Sequence, residues 1–139
     1  MINVKKGSAH SLQQTDKLGV VSGTIIAGAL VSFDHATDVA NATDASKIVG
    51  FAINNSTDSD VIGAGNKLGG YLLDGGSIIE TDQFDAAIIK GDTIGVGTGG
   101  TAGKAVVWTT GPVVGICVEK GNALMGSTTT SVIAIKLKA

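Results

Sequence analysis

Gly95-Val96-Gly97-Thr98-Gly99-Gly100 carries the spacing G-x-G-x-x-G, in which bare backbone amides approach a pyrophosphate at the N-terminus of a helix. The run that follows, Gly103 to Trp108, reads as a strand ending before Pro112, so no helix dipole stands behind the loop. Gly103-Lys104 also has the look of a phosphate-binding loop, but Thr98 takes the place of its first glycine and Ala105 that of the magnesium-binding hydroxyl. A flexible connection between strands is the expectation. Asp58-Ser59-Asp60 opens like a calcium loop, yet Ile62 stands at the third ligand position and Gly69 at that of the bidentate glutamate. Asp34, Asp38 and Asp44 share one polar stretch, and three loop carboxylates could gather a hard cation on assembly. The two histidines, His10 and His35, neighbour neither a cysteine, a nucleophile elbow nor each other at ligand spacing. For acid/base work the closest carboxylates are Glu80, Asp82 and Asp85. Glu80 and Asp82 fall at a strand end, where charge ordinarily faces water. Cys117 lies within Val113-Val114-Gly115-Ile116-Cys117-Val118 and reads as a small buried hydrophobe. The expectation is no catalytic residue, no cofactor and no bound metal.

Composition narrows the partners. All ten cations are lysines and the net charge is −2, so the guanidinium forks that read phosphates and guanine edges are missing. Aromatic residues make up 4%, too few for the stacking platforms of single-strand binders. Nucleic-acid binding is not expected. Apolar content is 43% at a mean hydropathy of +0.34, but it comes in short runs, far below the ~20 residues that cross a bilayer. Neither a membrane span nor a secretory leader is expected, because Gly7 to Lys17 is polar. The sequons at Asn41-Ala42-Thr43 and Asn54-Asn55-Ser56-Thr57 are then inert.

The elements that would hold these residues are strands. Twenty-one glycines and one proline punctuate β-branched runs at Leu18–Val21, Ala29–Phe33, Ile48–Ile53, Tyr71–Leu73, Ile78–Ile79, Ile94–Val96, Ala105–Trp108, Val113–Val118 and Val132–Leu137. The spacing predicts an all-β, glycine-rich barrel or β-tulip of eight or nine short strands, with helix confined to a turn or two near Thr37–Ala42 or Asp82–Ala87. In the last run Ile133, Ile135 and Leu137 share one face. Asp74-Gly75-Gly76 predicts a hairpin between its flanking strands. A weak internal repeat relates Ile25–Val31 to Ile88–Ile94 and Ile48–Ile53 to Val113–Val118, at offsets of 63 and 65 residues. Two such units packed face to face would close one barrel or sandwich. Residues 1–17 are polar and poor in apolar groups, and are expected to form an extended arm outside a single domain spanning 18–139.

The order Gly23-Thr24-Ile25-Ile26-Ala27-Gly28, Ile48-Val49-Gly50-Phe51-Ala52, Gly76-Ser77-Ile78-Ile79-Glu80-Thr81, Ile89-Lys90-Gly91-Asp92-Thr93-Ile94, Val113-Val114-Gly115-Ile116 and Val132 to Leu137 resembles the small capsid cement, or head decoration, proteins of tailed bacteriophages. That resemblance implies a compact β-barrel or β-tulip, often trimeric, that sits outside the mature capsid. It would clamp neighbouring major capsid protein subunits after synthesis in the host cytoplasm. It further implies that the arm reaches the shell, which makes Ile2, Asn3, Val4, Lys5, Lys6, His10, Leu12, Gln13 and Gln14 the candidate contacts. Trp108 matches no family position. A core placement is expected for it ahead of a role as interface anchor. The alternative is another virion β-domain, in a tail, baseplate or fibre. An enzyme or small-ligand binder on a β-barrel would need a polar pocket, which so few His, Arg, Tyr and Trp residues hardly furnish. A biotin-carrier domain would need a methionine-flanked lysine, absent at all ten lysines.

Overall fold

The computed structural model describes residues 2–5, 14–34, 38–63, 65–73, 76–121 and 131–138. Eleven strands are found among them: β1 Ile2–Lys5, β2 Gln14–Val21, β3 Leu30–Ser32, β4 Asp38–Asn41, β5 Val49–Ala52, β6 Lys67–Leu72, β7 Ile78–Thr81, β8 Thr93–Val96, β9 Ala105–Val107, β10 Gly115–Lys120 and β11 Ile133–Leu137. Helix is limited to α1, Ser59–Gly63, and a 3-10 turn at Gly99–Thr101. The chain is all-β and barrel-like. Strands β2-β4-β3-β5-β6 close on themselves, and a second sheet runs β1-β7-β11-β10-β8-β9. The second sheet also curls round. A parallel bridge joins Phe84 to Ala105, and Asp85 N donates to Ala105 O at 2.8 Å, which brings the chain just past β7 against β9.

All nine apolar runs overlap strands, and the two further strands are β1 and β4. Where a short helix was expected, β4 forms instead. Val39 is buried inside the first barrel and β4 pairs with both β2 and β3, so tertiary pairing overrides a weak local preference. Residues 82–87 form turns and a bridge: the Asp85 carboxylate accepts Ala87 N at 2.9 Å. The expected hairpin is absent as well. Both edges of β6 are taken, by β5 and β2, and β7 lies between β1 and β11. The connection after β6 therefore carries the chain from one sheet to the other, with Asp74 and Gly75 outside the described residues.

The N-terminal segment departs from the extended arm that its composition suggests. Ile2–Lys5 pairs along β7 and Ile2 packs on the core, while Gln14 to Lys17 begins β2. Residues 6–13 lie outside the described residues. Strand pairing satisfies backbone groups whatever the side chains are, so a polar segment can join a sheet.

The internal repeat is structural. Val31 opposes Gly50 and Leu30 opposes Phe51 in one half, as Ile94 opposes Gly115 and Thr93 opposes Ile116 in the other. Gly50–Leu72 and Phe51–Tyr71 have their counterparts in Gly115–Leu137 and Ile116–Lys136. The turns match too: Gly28 N donates to Ala52 O and Gly91 N to Cys117 O, each glycine at positive φ, 90° and 97°. The first half closes as a barrel round an interior of its own, while the second curls round an interior that is continuous with outer residues of the first. Ile25, Val31, Val39, Ala52 and Leu68 fill the first; Ile88, Ile94, Ala105, Cys117 and Ile133 occupy the equivalent places in the second.

One exchange shows how the two interiors reach similar packing. In the first barrel the Phe33 ring lies over Gly50 and Gly70, where an added Cβ would come within 2.8 Å of it. In the second, Val96 replaces the ring and Ile135 replaces the second glycine. A large residue over glycine and two β-branched residues fill comparable space.

Candidate interaction surface

The residues singled out for chemistry are used by the fold. The Asp34 carboxylate accepts Lys47 N at 2.8 Å and Ile48 N at 2.6 Å, fixing the loop before β5. Asp58 accepts Asn55 N at 3.1 Å on the approach to α1. Glu80 is fully buried in β7, contrary to the expectation that it faces water. β7 is an inner strand of its sheet, with Asn3 opposite Glu80 on one side and Ala134 on the other, and the first half meets its end, where Thr81 Oγ1 donates to Gly28 O at 2.8 Å. Gln83 binds Asp82 through its side-chain amide at 3.1 Å. The glycine run from Gly95 passes from β8 into the 3-10 turn. Cys117 is buried, and its Sγ donates to Glu119 O at 3.3 Å; burial pushes the thiol up from its ordinary value. Among the described residues no three His, Cys, Asp or Glu side chains gather as for a metal ion, and no helix is long and apolar enough to cross a membrane. His35 lies outside the described residues.

Of the candidate contacts, Ile2, Asn3, Val4 and Lys5 form β1, and Gln14 opens β2 opposite Tyr71. Lys6, His10, Leu12 and Gln13 lie outside the described residues. β1 is the terminal strand of its sheet. Among the described residues its far edge meets no further strand, and such an edge is a template for β-addition.

Trp108 is not in the core. It is 41% exposed, its indole N–H donates to Gly111 O at 3.0 Å, and its ring covers Gly95. Elsewhere in the second barrel the described residues expose three more large apolar side chains: Ile89 at 62%, Ile116 at 51% and Val107 at 40%. Thr93 opposes Ile116, Ile116 opposes Lys136, and Trp108 N donates to Thr93 O at 2.8 Å. Cross-strand neighbours project to one side of a sheet, so Trp108, Thr93, Ile116 and Lys136 form one row across it. Lys90 and Glu119, 3.9 Å apart, contribute an exposed ion pair. Spacing within single strands did not reveal this row. The repeat in the sequence sets Ile116 against Phe51; strand pairing extends it to Trp108 against Ala42, since Val31 opposes Asn41 as Ile94 opposes Val107 and Ala42 N donates to Leu30 O as Trp108 N does to Thr93 O.

Two clefts follow the junction of the halves. One, of 110 Å³, is lined by Thr24, Ile26, Ala29 and Asn41 from the first half and by Gln83, Ala102, Gly103 and Lys104 from the second. The other, of 400 Å³, lies between Lys47, Ile48, Val49 and Leu73 and the facing Pro112, Val113 and Lys138. Neither lining includes a cysteine, a histidine or a carboxylate.

No family model, curated protein or solved structure matches this chain.

Proposed function

We propose that this chain is a structural, non-enzymatic virion protein that binds the outer surface of a bacteriophage capsid as a homo-oligomer, with a trimer favoured, and clamps neighbouring major capsid protein subunits. The observation that carries this reading is the edge strand β1, formed by the N-terminal segment on a rigid body of paired strands. An added shell strand would gain main-chain hydrogen bonds there without demanding particular side chains. A capsid repeats one binding surface many times, so an oligomer touching several subunits gains avidity from modest contacts. Binding the expanded shell in preference to its other states then stabilises that shell by linkage, with no chemistry involved.

The test adds purified protein to expanded heads that lack it, then measures co-sedimentation and the temperature at which heads rupture. Bound protein and a raised rupture temperature are expected, with both lost when residues 2–5 are deleted. Failure to co-sediment, or binding that leaves rupture unchanged, overturns the reading. Electron micrographs showing density on tails instead of heads would move the protein to the tail.

A further inference from the structure

The two barrels are joined head to tail, and the joint uses different surfaces of the two. The first barrel offers its outer face. Leu30, Ala42 and Phe51 are buried there, in one continuous cluster with Ile79, Ile94 and Ile133 of the second half. The second barrel offers its β7 end and the turn before β9. Leu30 N donates to Gly103 O and Gly103 N to Ala42 O, both at 2.8 Å, and Thr81 Oγ1 donates to Gly28 O at 2.8 Å.

Because the chain is a repeat, the second barrel has the same outer face. The counterparts of Leu30, Ala42 and Phe51 are Thr93, Trp108 and Ile116, and all three are exposed. Ile26 and Asn41 line the junction cleft, and their counterparts are Ile89 and Val107. The four large apolar residues that the second barrel exposes, among the described residues, thus all stand where the first barrel meets its neighbour. Scattered exposed apolar residues are ordinary; their coincidence with an interface that the same chain builds once already is not.

We infer that this face is a docking site for a second copy of the chain, whose first barrel takes the position that the second barrel takes within the molecule. The incoming surface is the side of the first barrel made by β2 and β4, whose parallel pairing at Val20–Asp38 and Val21–Val39 corresponds to the Phe84–Ala105 bridge. A contact between unlike surfaces closes into a ring if its rotation allows and otherwise grows as a filament. This deepens the oligomer of the proposed function, by naming the surface that joins its copies. Its test involves no shell, so the two ideas fail separately.

The measurement is sedimentation velocity of the full chain over a range of concentrations, with wild type set against Trp108→Lys and Ile116→Asp. Both substitutions lie on exposed positions, and circular dichroism and the thermal midpoint confirm folding. Wild type should associate, and each variant should weaken association by about 30-fold or more, as for a central interface residue. Hydrogen exchange of associated against dilute wild type should show protection at Thr93, Trp108 and Ile116 together with the backbone of β2 and β4. A monomeric wild type, or charged variants that associate normally, overturns the inference. So does protection of the second barrel's face alone, which would mean that two like faces meet.

Discussion

At the scale of single residues, the repeat supplies its own controls. Cys117 stands where the first half has Ala52; Cys117 N donates to Asp92 O at 2.9 Å as Ala52 N does to Ala29 O at 2.9 Å. The site therefore accepts alanine in one of its two versions. Cys117→Ala removes one buried heavy atom and should cost about 1 kcal/mol. Its more telling effect is on pH dependence. Burial holds the Cys117 thiol above its ordinary value of 9.0, so the folded chain keeps a proton that the unfolded chain releases. Stability is thus unaffected below that value and falls as pH rises through it toward the folded value. The urea midpoint of wild type should fall more steeply between about pH 8 and 10 than that of Cys117→Ala, since lysine titration is common to both. Parallel profiles would show that the thiol is not held neutral by the fold.

At the scale of elements, much was legible and the failures share one cause. The nine apolar runs mark strands because β-branched residues bounded by glycine have few other low-energy arrangements. β1, β4 and the supposed hairpin escape the local pattern because strand pairing decides them: Ile2 meets Thr81 and Ile78 meets Lys136 far along the chain, and the polar run of β4 is held by Val31 opposite Asn41 and Val21 opposite Val39. The candidate surface was half legible. Ile89 and Ile116 sit inside the repeat segments, but their exposure follows from the junction, which no local pattern encodes. The repeat also yields a prediction about packing between β3, β5 and β6. Gly70→Ile should destabilise by about 2–3 kcal/mol, because its Cβ would meet the Phe33 ring at 2.8 Å and Phe51 O at 2.9 Å. Phe33→Val should also destabilise, through the space it leaves. The double variant installs the pair used by the second half, so its loss should fall short of the sum by about 1 kcal/mol or more. Additive losses in denaturant titrations would mean that the two interiors are not interchangeable.

At the scale of the whole molecule, duplication raises the question of whether the halves fold separately. The interior of the first barrel is a cluster of its own, Ile25, Val31, Val39, Ala52, Val61 and Leu68. That of the second is continuous with the first barrel's outer residues Leu30, Ala42, Val49 and Phe51. The second interior is therefore completed by the first barrel. Separating them would expose Phe51, which is 0% exposed in the folded chain, together with the apolar groups it covers. Burial on that scale couples the halves more strongly than chain connectivity alone. The full chain should then unfold in one transition, with equal calorimetric and van't Hoff enthalpies. Phe51→Ala, at the junction, should cost about 3–5 kcal/mol and can split that transition by uncoupling the barrels, whereas Val61→Ala, inside the first barrel, should lower a transition that stays single. Two transitions in wild type would show that the junction is a contact between independent domains, and that the second barrel's interior is complete without its neighbour.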